Sequence, residues 1–178
     1  MSSLERTLKC RRKYRAALLG WIVGLASIAS ADVKVGDVFP SLESNDIAVL
    51  GSGRLPKLQD KVVLVDFWAS WCAPCKASFP VMGRLHTDYT DRGLVIVAVG
   101  IDEKAAAATA FWKKMNPPFA SVHDRTQSLV KAVAVPTMPT SYLIGRDGRV
   151  RYIHQGFHGE TTDRELRKQI EGLLAEKG

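Results

Sequence analysis

Cys72 and Cys75 are separated by Ala73-Pro74, follow Trp71, and stand between an apolar run, Val62 to Trp68, and a stretch of helical character. Two thiols so spaced at the start of a helix lie within bonding reach and interconvert between dithiol and disulfide. The helix N-terminus carries partial positive charge that favours Cys72 as thiolate. Cys75, a turn further in, is expected to be less exposed and less acidic. Lys76 adds a positive charge nearby. Disulfide exchange needs such a pair: one thiolate to attack, a mixed disulfide, and a second thiol to resolve it. Asp66 is the third residue with chemical potential. A carboxylate inside an otherwise apolar strand is costly to bury ionised, so its pKa should rise to where it could exchange a proton with Cys75.

Other chemistries compete for the same residues. Zinc takes four Cys, His or carboxylate ligands. Cys10 lies in the basic leader, and His86, His123, His154 and His158 are scattered, so the histidines read as surface residues, with His154 and His158 flanking Gly156 in a loop. Neither a metal site nor a cofactor is expected. Two thiolates alone can hold Cu(I), with Met138 as a further soft ligand, and a copper-binding accessory protein is therefore the rival from another functional class.

The elements that must position these residues are legible in outline. The chain has 178 residues, enough for one packed domain. Its net charge of +7 is uneven: Arg6, Lys9, Arg11, Arg12, Lys13 and Arg15 face only Glu5, so the remainder is close to balanced. Nucleic-acid binding thereby loses its main support. The basic start, the apolar stretch Ala16 to Ala29 and Ala29-Ser30-Ala31 make residues 1–31 read as a signal peptide or signal anchor, with a single domain over 32–178. Cleavage would remove Cys10 and leave Cys72 and Cys75 as the only thiols. An extended entry at Val35 to Pro40 is followed by an expected hairpin through Gly51-Ser52-Gly53 and a turn at Gln59-Asp60-Lys61. Val62 to Trp68 and Leu94 to Ile101 read as buried parallel strands. Helices are expected over 73–90, kinked at Pro80, over Glu103 to Met115, near Gln127 to Val133, and over Thr161 to Lys177. Further strands fall near Phe119 to Val122, at Thr140 to Ile144 and at Val150 to His154, the last two joined across Asp147-Gly148. This is an α/β domain: a mixed central sheet with helices on both faces and an N-terminal β-hairpin extension.

Val35-Gly36-Asp37 with Pro40, the segment Asp66 to Lys76, Pro80, and Met138-Pro139-Thr140 leading to Asp147-Gly148 together resemble the thioredoxin superfamily, and within it the exported TlpA-like and ResA-like thiol:disulfide oxidoreductases. The resemblance runs from about Val35 to the C-terminal helix and implies the thioredoxin fold. It implies that Cys72 attacks, that Cys75 resolves and that Pro139 is a cis-proline facing them, with Pro136 as a rival for that conformation. Trp71, Met138 and Pro139 would form the lip that receives a partner's chain. Such relatives commonly carry asparagine where Asp66 stands and glutamate where Ser78 stands, whereas thioredoxin itself has an aspartate at the former. Here the acid has moved from helix to strand. Ala73-Pro74 offers the thiolate no side-chain donor, which argues for a reductant and against the alternative, a disulfide oxidant. The implied partners are protein disulfides, as in cytochrome c or metal-centre maturation, and a membrane electron donor of the DsbD/CcdA type. The implied location is periplasmic or extracytoplasmic, with a possible membrane tether.

Overall fold

The computed structural model describes residues 32–51 and 53–176; the leader reading and Cys10 lie outside them. Six strands form one mixed sheet: β1 (Ile47–Val49), β2 (Val62–Trp68), β3 (Leu94–Gly100), β4 (Ala120–Asp124), β5 (Thr140–Ile144) and β6 (Val150–Gln155), in spatial order β1-β4-β3-β2-β5-β6. β2 and β3, and β3 and β4, run parallel; the other pairs are antiparallel. Among the described residues four α-helices, α1 (Ala73–Tyr89), α2 (Ala105–Met115), α3 (Ser128–Val133) and α4 (Glu160–Ala175), and a 3-10 turn at Thr90–Arg92 complete the order. This is the thioredoxin-type architecture expected.

β2 occupies the centre of the sheet, which explains its unbroken apolar character: every one of its residues is buried. Because side chains alternate across a strand, Val62, Leu64 and Trp68 enter one layer and Val63, Val65 and Phe67 the other. The first layer holds Phe79, Met82 and Leu85 of α1, Ala108 and Phe111 of α2, and Leu166, Ile170 and Leu173 of α4. The second is closed by Leu129 and Val133 of α3 together with Val33 and Leu42 of the entry segment. Trp68 stacks on Phe111 at 4.8 Å and meets Phe79 edge-on at 5.6 Å. Its indole lies so close to β3 that a Cβ on Gly100 would stand 2.9 Å from Trp68 Cζ2.

α1 continues through Pro80. The carbonyl of Lys76, which the proline leaves without its helical donor, belongs to an exposed residue and can meet water. α2 ends where Asn116 takes a left-handed conformation, φ 41°, ahead of Pro117-Pro118.

The N-terminal region departs from expectation. In place of a hairpin through Gly51–Gly53, β1 is a single strand paired with β4, and no strand follows among the described residues until Val62. The entry segment instead bonds to the β5–β6 hairpin, Gly36 N–H to the Val150 carbonyl at 2.8 Å and Phe39 N–H to the Gly148 carbonyl at 3.0 Å. Two glycines and a serine suit a loop as well as a tight turn, and partnership with β4 is a long-range outcome that local composition does not carry. None of the helices among the described residues is long and apolar enough to cross a membrane.

Candidate active site

β2 ends at Trp68, and Ala69-Ser70-Trp71 turn the chain into α1. Cys72 is the residue capping that helix, in extended conformation (φ −83°, ψ 105°), and its Sγ accepts the Cys75 backbone N–H at 3.2 Å. A cap must accept from the free N–H groups of the first turn; here sulfur does so. Pro74 sits in that first turn, where its missing N–H costs nothing. The two sulfurs form a disulfide, with the Cα atoms 5.3 Å apart. Cys72 is 4% exposed and Cys75 fully buried, the order expected. No acidic residue in the first turn of α1 offsets the positive end of the helix, while Trp71 stands 67% exposed beside the pair.

Asp66 lies inside β2, not at its end, and is 1% exposed. By strand alternation it shares the face of Leu64 and Trp68, the layer that contains Cys75. Ser141 Oγ donates to Asp66 Oδ1 at 2.6 Å, whereas Oδ2 is buried without a partner. Desolvation of the charged form raises the Asp66 pKa from 3.8 to about 7, with the Ser141 hydroxyl pulling the other way. Ser78, also fully buried, donates to the Cys75 carbonyl at 2.9 Å.

The Met138–Pro139 peptide is cis. Pro139 immediately precedes β5, whose first residue, Thr140, pairs with Phe67 near the end of β2, so the proline is brought to the end of the sheet from which the cysteine turn departs. Met138 is half-buried and packs against both core layers.

Three residues were missed by sequence reasoning. Asp102, following β3, is 3% exposed and holds the turn before the cysteines: its carboxylate accepts the Ser70 N–H at 3.0 Å and the Ser70 hydroxyl at 2.6 Å. A signal related to the one that singled out Asp66 was present: Asp102 directly follows the buried apolar run Leu94 to Ile101. His123, expected at the surface, is 2% exposed inside β4, and its Nε2–H donates to the Asp102 carbonyl at 2.6 Å. Burial of the ring is tolerable because that carbonyl accepts its N–H. Ser141 had no sequence signal at all. His154, expected as a surface residue where a strand gives way to loop, lies within β6 with Nε2 2.7 Å from Gln169 Oε1. Among the described residues no three His, Cys, Asp or Glu side chains converge as a metal ion would require.

The family model described as Redoxin matches residues 34–170. The chain is 33% identical over 144 residues to the thiol-disulfide oxidoreductase ResA of Oceanobacillus iheyensis, covering 79% of this chain and 71% of that protein. It is 30% identical over 144 residues to the ResA of Bacillus thuringiensis subsp. konkukian, covering 79% of each. Among solved structures, a putative thiol:disulfide interchange protein DsbE from Chlorobium tepidum superposes with a TM-score of 0.71 at 34% identity, over 80% of this chain and 99% of that one.

Proposed function

Because the chain belongs to the Redoxin family and is a ResA-like thiol:disulfide oxidoreductase of thioredoxin fold, we propose that it works outside the cytoplasm as a reductant of protein disulfides, with Cys72 as attacking thiol and Cys75 as resolving thiol. The observation that carries this reading is the half-satisfied Asp66 carboxyl buried in the layer that also holds Cys75.

In the reduced enzyme, the Cys72 thiolate attacks a substrate disulfide, forming a mixed disulfide and releasing one substrate thiolate. Asp66 then takes the proton from the Cys75 thiol. The Cys75 thiolate attacks Cys72 Sγ, the Cys72–Cys75 bond forms, and the second substrate thiolate leaves and is protonated by Asp66 or water. Two electrons have passed from the dithiol to the substrate. A carboxyl with a pKa of about 7 serves such a step well, since it can hold or release a proton near neutrality. Cys72, at the positive end of α1 with no acid in the first turn, is supported as the thiolate.

Trp71, exposed, and Met138 with Pro139, at the adjoining end of β5, form the surface on which a partner's chain would lie. The protein partners are those of cytochrome c or metal-centre maturation, and reducing equivalents come from a membrane donor of the DsbD/CcdA type. Residues 1–31 act as the export signal or tether, and residues 32–178 as the catalytic domain. The experiment is capture with Cys75→Ser in the exporting organism. The variant is expected to accumulate mixed disulfides through Cys72 with secreted proteins, and Cys72→Ser is not. A redox titration placing the couple near ~−120 mV, the range of the strong oxidant DsbA, would overturn the reductive direction.

A further inference from the structure

We propose that Ser141 is a positioning residue for Asp66: its hydroxyl occupies Oδ1 and so leaves Oδ2 as the oxygen that exchanges the proton of the resolving step. The inference deepens the role assigned to Asp66 above and rests on it.

Asp66 of β2 and Ser141 of β5 are direct register partners, which puts both side chains on the same face of the sheet. The Ser141 Oγ to Asp66 Oδ1 distance is 2.6 Å, while Oδ2, equally buried, has no partner. A carboxylate so placed is asymmetric. The oxygen that accepts a hydroxyl proton is partly neutralised, and the bare oxygen is left with the higher proton affinity. The proton therefore adds to and leaves from Oδ2.

Ser141 supplies the hydrogen bond to the Asp66 carboxyl, and the neighbouring elements present mainly apolar or already engaged groups. From β3 the register partner of Asp66 is Ala98. α1 contributes Cys75 and Ser78 to the same buried region, the Ser78 hydroxyl being committed to the Cys75 carbonyl. α4 presents Leu166, Ile170 and Leu173 to this layer. One strand further out, His154 is the register partner of Ser141, but its ring is engaged by Gln169 at 2.7 Å and faces Glu165 at 3.7 Å, at the rim that Lys168 and Tyr152 also line. The titratable groups of this layer are Cys75 and Cys72, once reduced, and Tyr89 at the far end of α1, whose hydroxyl donates to Glu171 at 2.8 Å.

The test is the pH dependence of mixed-disulfide resolution, followed by stopped flow with a chromophoric thiol attached to Cys72. In Ser141→Ala the anion loses its donor, and the midpoint of the rate profile is expected to move upward by about 1 to 2 pH units. The rate at pH 7 should fall about 5- to 50-fold, and the rate at high pH should stay within about twofold of wild type. Ser141→Thr, which keeps the hydroxyl, is expected to restore the original midpoint. Should the alanine variant not fold, Ser141→Val against Ser141→Thr, a near-isosteric pair differing by the hydroxyl, carries the same comparison. A profile for Ser141→Ala superimposed on wild type, or equally displaced for Thr and Ala, would overturn the inference. If Asp66→Asn slows resolution while Ser141→Ala leaves the profile unmoved, the positioning role alone fails; if Asp66→Asn has no effect, the assignment of Asp66 fails with it.

Discussion

Asp66→Asn should change the pH dependence of stability in a way that follows from the burial of a single carboxyl. The native state raises its pKa from 3.8 to about 7, so the folded protein binds this proton more tightly than the unfolded chain does. The stabilisation from that proton is fully present below pH 3.8 and is lost as pH rises to about 7. The slope between those limits is ~1.4 kcal/mol per pH unit, and the whole span comes to about 4 kcal/mol. In the asparagine variant the term is absent. A pH-independent penalty of about 1–3 kcal/mol remains, because the amide places N–H groups where Oδ2 lacks a partner. The diagnostic is therefore the gap between variant and wild type, in which the other carboxylates cancel. It should swing in favour of the variant as pH rises from 4 to 7 and then flatten. Urea unfolding of the oxidised proteins at half-unit steps from pH 4 to 8 measures it, and thermal unfolding should show a relative displacement of about 10 °C over the same range. A gap constant to within ~0.5 kcal/mol would refute the burial argument.

At pH 7, Asp66→Asn should also slow resolution of the mixed disulfide by about 100-fold, the lower end for loss of a general base, whereas Ser78→Ala should change it by less than about twofold; equal rates for Asp66→Asn and wild type, read by stopped flow, would sink the relay. Asp102→Ala removes a buried carboxylate that accepts both donors of Ser70. It is expected to lower stability by about 2–4 kcal/mol and to speed amide exchange at Ser70; unchanged exchange there would show that the turn before Cys72 is held by other means. Gly100→Ala would drive a methyl into the Trp68 indole. A loss of about 1–3 kcal/mol with an altered near-ultraviolet tryptophan band is expected, and an unchanged band would count against that contact.

The parts of this molecule legible in sequence are those whose signals are local. β2 is a continuous apolar run because both its faces are covered, and Cys72 is a helix start because Pro74 follows and an apolar period begins at Phe79. Asp66 stood out because one acid interrupts seven strand residues. What could not be read depends on residues distant in the chain. Ser141 matters only because β5 returns antiparallel to β2, setting it opposite Asp66. β1 became a sheet edge on β4 and not half of a hairpin, and nothing within residues 47–53 names that partner. His123 is inside because the chain after β3 supplies a carbonyl within 2.6 Å of its ring, a pairing that polarity alone would argue against.

The strands at the two margins of the sheet bear on how the fold meets extended chains. β1 is three residues long, and β6 lies beside an irregularity at Leu143/Ile144 and carries Arg151, which reaches Asp147 at 3.1 Å and Glu176 at 3.6 Å. A short margin on one side and a charged, irregular one on the other give an incoming extended segment little backbone to zip onto. The fold is thereby shielded from edge-to-edge pairing with extended chains, and contact with such a chain is steered away from the sheet margins.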